Sequence, residues 1–326
     1  MSDTPAAGKD VYAFLELFLN RFPKYSSQPF HIAAESYGGI YAPHFASVIY
    51  KANKDLALAP NTRLKHINLA SVILGNGLTD PYLQLGSVPD YVCGGPYPIY
   101  DDPEGPECMA LRAKVPTCQR LIKACYQFHS KFTCVPANLY CNTQIFASVM
   151  RVSFLVRPSK VNSNYCTTEK KNTDINPYDV RIPCNKEKNG DLCYAEMGWV
   201  DTYLNEPSVK AELGVSPERK FTTCNMEVNQ AFTFGGDWSN SALLLPELVN
   251  DGVRLLVYAG NAGLFFSRFF FFWNCILHFA VVVRITLVIC CAIDSRWCVP
   301  CINIFGDPPL LAPDRDYVVW ALPLWK

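Results

Sequence analysis

The segment Ala34-Glu35-Ser36-Tyr37-Gly38-Gly39 constrains this chain more tightly than any other feature. It follows the apolar run Phe30 to Ala33 and opens a stretch with helical patterning, so Ser36 falls where a strand turns sharply into a helix. That is the geometry of a nucleophile elbow, in which the turn pushes a serine oxygen outward and the helix N-terminus behind it favours developing negative charge. Such a turn crowds its own backbone, so the serine needs small neighbours. Gly38 meets that need on one side, while Ala34 stands where the pattern G-x-S-x-G has glycine. A serine between small residues also fits an ordinary Ser-Gly turn, and the flanking sequence must decide.

Around the elbow the chain alternates strands and helices. Val11, Phe14, Leu15, Phe18 and Phe22 recur at helical spacing, which predicts an amphipathic helix from about Gly8, stopped by Pro23. A second helix is expected from Tyr37 to about Lys51, with a local irregularity at Pro43. His66 to Leu74 reads as a strand closed by Gly75-Asn76-Gly77, and Val253 to Ala259 as another closed by Gly260. This alternation predicts a mostly parallel sheet covered on both faces, with chemistry collected beyond the carboxyl ends of its strands, where Ser36, Leu78 and Gly260 lie. Between Val88 and Cys193 the pattern becomes short, loop-rich and cysteine-dense.

Composition excludes several function classes. A formal net charge of zero gives no electrostatic footprint for nucleic acid or an anionic membrane surface. Fifteen cysteines point to an oxidising compartment. The polar start Met1-Ser2-Asp3-Thr4-Pro5 carries no secretory leader, and the two facts together predict that the chain begins partway into a longer precursor. No N-x-S/T sequon supports secretion independently. A zinc site is disfavoured because no histidine stands at ligand spacing and the cysteine block lacks paired C-x-x-C knuckles.

The strings AESYGGIYAP, GNGLTDP (Gly75 to Pro81) and AAGKDVYAFLELFLNRFP closely resemble the serine carboxypeptidases of the carboxypeptidase Y type, peptidase family S10. The cysteine block Cys93 to Cys141, NPYDVRIPC (Asn176 to Cys184), FGGDW (Phe234 to Trp238) and LLVYAGNA (Leu255 to Ala262) follow in the family's order. The resemblance implies an α/β-hydrolase fold: a mostly parallel central sheet flanked by helices, with a disulfide-rich cap insertion, here incomplete at both ends. Residues 1–87 would form the first part of the core with the elbow, 88–193 the cystine-rich cap, and 194–262 a return to the core. Residues 149–173 read as an intron-derived intrusion, and 263–326 as a non-homologous apolar tail.

The same resemblance implies that Ser36 is the nucleophile of a serine-type carboxypeptidase, releasing C-terminal residues through an acyl-enzyme. Tyr37 would supply an oxyanion N–H, and Glu35 would hold the substrate carboxylate as a protonated acid, where the residues alone allow a solvated helix-start carboxylate. Leu78, Asn142 and Trp238 match positions lining a substrate subsite, although Leu78 and Trp238 read by themselves as ordinary core. Cys93–Cys108, Cys118–Cys141, Cys125–Cys134 and Cys184–Cys193 would be bridged, and Cys224 would be an unpaired thiol. Partners would be peptides and proteins with a free C-terminus, with no nucleic acid, no metal and no cofactor. The location would be a vacuole or lysosome-like compartment, or the cell exterior.

Three parts of the family's machinery are missing from this sequence. There is no upstream NGGPG loop, the triad aspartate position is occupied by Gly263, and no G-H-M motif supplies the triad histidine. Beyond the third strand the sole histidine is His278, inside a phenylalanine-rich run. Activity of the chain as written is therefore expected to be impaired. Two alternatives remain: a catalytically inactive secretory relative that binds peptides, and a membrane-anchored fragment using residues 264–293. Arg268, His278 and Arg284 interrupt that apolar stretch and count against a span. Cys298-Val299-Pro300-Cys301 has the spacing of a redox pair but no supporting context.

Overall fold

The computed structural model describes residues 3–61, 63–100, 102–150, 175–184, 188, 193–260, 262–263 and 288–290. The leading helix α1 spans Thr4–Arg21, four residues earlier than its apolar periodicity suggests, because Asp3 caps it by accepting from the Ala6 N–H at 2.8 Å. Strand β1 (Phe30–Glu35) follows, then α2 (Gly38–Leu58), β2 (Leu69–Gly75) and later β5 (Arg254–Tyr258). Helix α2 runs through Pro43 without ending there. Pro43 is the sixth residue of the helix, so it cannot donate to the Gly39 carbonyl, and the helix continues past it without that bond. The helix also extends past the expected Lys51 to Leu58.

The main sheet is parallel throughout, in the order β1-β2-β5-β6. Its fourth strand, β6, is Val288–Cys290, which pairs with β5 through Leu256–Val288, Val257–Ile289 and Tyr258–Cys290. These three residues belong to the apolar stretch 264–293, so for them the membrane-anchor reading gives way to a sheet ladder. Among the described residues no helix is long and apolar enough to cross a membrane. The rest of that stretch, His278, the Cys298–Cys301 pair and most of residues 149–173, read above as an intrusion, lie outside the described residues.

Side-chain alternation in β1 separates the two faces of the sheet. Ile32 and Ala34 pack with Val72, Leu74 and Val257 against Ala42, Ala46 and Tyr50 of α2 and Leu245 and Leu248 of the helix Leu245–Asn250. Leu15 and Leu19 of α1 extend this layer to Ile49 and Ile67. His31, Ala33 and Glu35 point to the other face and are exposed. Of the two covered faces expected, one is built by these described helices.

The cysteine-dense region differs most from its sequence reading. Preceded by α3 (Pro81–Gly86), its described residues are largely helical: α4 (Val88–Gly94), the 23-residue α5 (Pro106–Phe128) and α6 (Lys131–Cys141). A π-turn, Asn142–Phe146, then leads into α7 (Ala147–Met150). Pro116 and Pro136 sit inside helices that continue around them. The physical reason is periodic burial. Cys108, Leu111, Cys118, Ile122 and Cys125 are all buried along one face of α5, at helical spacing. A capping box at Ser130 and Thr133 starts α6. Beyond this region β3 (Ile175–Asn176) and β4 (Asp179–Pro183) form a short antiparallel hairpin, tied to the core by the Val180 N–H on the Ala262 carbonyl at 2.8 Å.

Four bridges match the pairing expected: Cys93–Cys108, Cys118–Cys141, Cys125–Cys134 and Cys184–Cys193. The expectation for Cys224 is overturned, because Cys224 is disulfide-bonded. The first three bridges sit in one buried cluster with Ile40, Leu78 and Trp238, so the cap and the start of α2 share a core.

Replacing both Cys118 and Cys141 by alanine should lower unfolding stability by about 3 kcal/mol, from the loop entropy of a bridge with a sequence separation of 23. Denaturant titration of the oxidised protein measures this, and an unchanged midpoint would remove the bridge from the stability of the cap.

Candidate active site

Ser36 lies one residue beyond the end of β1 and one before the N-cap of α2, with φ at 57°. Left-handed backbone is uncommon for a residue with a side chain and costs roughly 1–2 kcal/mol. Here it is held from both directions. The Ser36 N–H donates to the Gly75 carbonyl at 3.1 Å, while the Ser36 carbonyl accepts from Leu78 N–H at 2.8 Å and Gly39 N–H at 3.1 Å. The side chain is left exposed. Its position at the carboxyl edge of a parallel sheet, behind a helix start, is the elbow geometry anticipated above.

The loop that grips Ser36 is itself gripped. Asn76, also left-handed at φ 45°, donates its N–H to the Tyr258 carbonyl and accepts at Oδ1 from the Gly260 N–H, both at 2.9 Å. The ends of β1, β2 and β5 are thus joined by main-chain bonds within a few residues of Ser36. Gln84 completes the support by accepting from the N–H groups of Thr79 and Asp80 and donating to the Gly77 carbonyl.

Tyr37 follows the serine as the N-cap of α2, and among the described residues no acceptor meets its N–H. Its hydroxyl donates to the Asp237 main-chain carbonyl and lies 3.2 Å from Asp237 Oδ2. Burial, and then the Asp237 charge, push the Tyr37 hydroxyl far above the ordinary tyrosine range, so it stays protonated and can only donate to that carboxylate. Tyr41 packs edge-on against the Tyr37 ring with centroids 5.0 Å apart.

Glu35 is exposed at the last position of β1, opposite Gly75. Its charge reaches Tyr178 in the hairpin turn, whose hydroxyl is raised first by desolvation and then by Glu35. Leu78 and Trp238 are buried, at 7% and 2% exposure, in the cluster that contains the cap cystines. The Trp238 carbonyl lies 3.2 Å from Cys125 Sγ. Asn142 is half-buried at the start of the π-turn and donates to Asn138 Oδ1 at 2.7 Å. No hydrogen bond among the described residues links Asn142 to Ser36.

The second half of a catalytic triad is not assembled among the described residues. Gly263 is described, buried, and has no side chain with which to orient a base. Of the described histidines, His31 pairs with Ser71 Oγ at 2.7 Å and His44 with Ser239 Oγ at 3.1 Å, and none bonds to Ser36. Among the described residues no group of three His, Cys, Asp or Glu could hold a metal ion.

Two polar residues at the site escape the sequence reading. Asp237 is 3% exposed, and its carboxylate also accepts from the Thr4 N–H at 2.7 Å and the Thr4 hydroxyl at 2.6 Å. Asp237 stands inside FGGDW, where attention falls on the adjacent tryptophan. Thr4 carries no signal beyond its place at a helix start.

Crowding at the turn yields a paired test. A Cβ added at Gly38 would lie 2.7 Å from Ala34 Cβ, and one at Gly39 would lie 2.6 Å from the Leu78 carbonyl oxygen. Gly38→Ala should destabilise by about 1–3 kcal/mol, and a companion Ala34→Gly change should recover most of it. Gly39→Ala meets backbone, so Ala34→Gly should not rescue it. Urea midpoints of the four variants decide, and equal rescue of both would contradict the steric account.

The family model for serine carboxypeptidases matches residues 1–267. Carboxypeptidase Y homolog A of Coccidioides posadasii is 40% identical over 264 residues, covering 80% of this chain and 42% of that protein. The homolog from Neurospora crassa is 40% identical over 264 residues, with 80% and 41% covered. The chain therefore spans about two fifths of the length of the curated relatives it matches. Kex1Δp, a prohormone-processing carboxypeptidase from Saccharomyces cerevisiae, superposes with a TM-score of 0.63 at 19% identity, over 82% of this chain and 51% of that one. That likeness identifies the parallel sheet and its helices as an α/β-hydrolase fold. Together with the extent of the sequence match, the strained serine turn at its sheet edge makes this chain a member of the serine carboxypeptidase family.

Proposed function

We propose that Ser36 is the acyl-accepting nucleophile of a peptidase acting on the C-terminal end of peptides and proteins, and that turnover by this chain is impaired. The observation that carries the reading is the left-handed backbone of an exposed serine, fixed by three main-chain hydrogen bonds at the edge of the sheet. Strain of this kind persists when the surroundings over-determine it, and it concentrates at sites of chemistry.

Ser36 Oγ attacks the carbonyl carbon of the terminal peptide bond; with no histidine bonded to it among the described residues, its proton passes to solvent water, which returns a proton to the leaving amine. The Tyr37 N–H stabilises the negative charge developing on the carbonyl oxygen. Collapse releases the terminal residue and leaves an acyl-serine, which water hydrolyses. Glu35, exposed beside Ser36, is suited to receive the substrate carboxylate, and the resemblance to the family offers Leu78, Asn142 and Trp238 as the residues against which a neighbouring substrate side chain would pack. Gly263 in place of an orienting aspartate supports low turnover, since triads without their base or its orienter fall by several orders of magnitude. The four cystines support a protein of the secretory route, with a vacuole-like compartment or the exterior as destination.

A fluorophosphonate probe should label Ser36 slowly, with peptide mapping placing the adduct there and Ser36→Ala abolishing it. Release of the C-terminal residue from a blocked dipeptide should be at least about a thousandfold slower than for an intact triad. Absence of label on folded protein would favour the non-catalytic peptide-binding reading. Residue release that survives Ser36→Ala would overturn the assignment of the nucleophile.

A further inference from the structure

We propose that Thr4 and Asp237 are positioning residues for the oxyanion donor, forming a buried chain from the start of α1 through Tyr37 to the main-chain N–H beside Ser36. This rests on the reading of Ser36 as nucleophile and assigns a task to residues more than two hundred positions apart.

Three observations converge on it. First, the Asp237 carboxylate sits at the N-terminus of the 18-residue helix α1, where one oxygen takes the Thr4 N–H and the other takes the Thr4 hydroxyl. Helix-start N–H groups stabilise an anion there, so the carboxylate is held by charge as well as geometry. Second, Tyr37 OH spans the main-chain carbonyl and the carboxylate of the same residue. A hydroxyl placed between two acceptors of one anchored residue has little freedom. Third, Tyr37 is the N-cap of α2, so its ring and its N–H are joined by a backbone already restrained by the Ser36 turn. Fixing the ring tip therefore fixes the direction of the N–H.

The anchor is also insulated. Thr4 is fully buried and Asp237 nearly so, which keeps water from competing for these bonds. The next residue, Trp238, is locked in the cap core against Cys125. The Asp237 backbone is thereby tied to the cap while its side chain is tied to α1. An oxyanion donor must be aimed at a point before charge develops there, and misplacement by about 1 Å costs on the order of a hundredfold in rate. The chain from Thr4 supplies this aim without touching the reacting atoms.

The test uses Thr4→Val, which keeps the main-chain donor and the branched shape but deletes the hydroxyl, with Thr4→Ser as the conservative variant and Tyr37→Phe at the other end. Fluorophosphonate labelling of Ser36 should slow about tenfold in Thr4→Val and Tyr37→Phe. The double variant should be no slower than the slower single, because both cut one chain. Thr4→Ser should stay within about twofold of the parent. In protein labelled with ¹⁵N-tyrosine, the Tyr37 amide resonance should move in Thr4→Val and return in Thr4→Ser. Parent-like labelling in both slow variants, or an unmoved Tyr37 amide, would overturn the inference. If the parent protein takes no label at Ser36, the nucleophile reading fails instead, and the amide resonance alone decides whether Thr4 positions Tyr37.

Discussion

The Ser36 carbonyl, accepting from the N–H groups of Leu78 and Gly39, is the contact on which the rest of this site depends. A left-handed residue with a side chain is unfavourable by roughly 1–2 kcal/mol, comparable to the net worth of one or two intramolecular hydrogen bonds. The turn persists because its bonds come from two separate elements. One is the first turn of α2, which the strand must enter, and the other is the loop after β2, which the sheet already places there. Asn76 extends the same logic by stitching that loop to the end of β5. The serine is exposed because its backbone has nowhere else to go.

From this turn the two halves of the molecule are built outward. Below it, Ala34, Ala42 and Ala46 let strand and helix approach closely, and Leu74, Val257 and Leu248 fill the layer beneath. Above it, Ile40 and Leu78 belong to the same buried cluster as the cap cystines and Trp238. The cap is therefore continuous with the core beside the Ser36 turn. Disulfides hold a cap whose helices carry internal prolines, and periodic burial of Cys108, Cys118 and Cys125 makes those cysteines core residues as well as cross-links.

The same construction explains how the elbow forms with no histidine bonded to Ser36 among the described residues. The elbow is made of main-chain bonds and missing side chains, all supplied within β1, α2 and the loop at residues 75–78. Gly263, buried beyond the end of β5, adds no side chain to that construction. Fold and nucleophile geometry are thus separable from turnover. Stability of the elbow reports on packing, whereas rate reports on groups whose loss barely disturbs that packing.

Local patterns determined a great deal. Small residues around Ser36, the alternating strands and the order of motifs were enough to read the elbow, the parallel sheet and the family, because each is encoded in contiguous residues; the four cystine pairs came from the resemblance to the family, since spacing alone leaves connectivity open. The cap helices were legible in principle, since Cys108, Leu111, Cys118, Ile122 and Cys125 repeat at helical intervals, but prolines and cysteines read as loop signals when taken one at a time. Cys224 was misread because a bridge depends on what lies within reach, and reach is not a property of spacing. The anchoring of Tyr37 by Asp237 and Thr4, the strand at 288–290 and the grip of Leu78 on Ser36 belong to tertiary structure alone. Each joins residues far apart along the chain, and hydrogen bonds of that kind leave no periodic trace in sequence: they exist only once the folded backbone has brought donor and acceptor to within three ångströms or so.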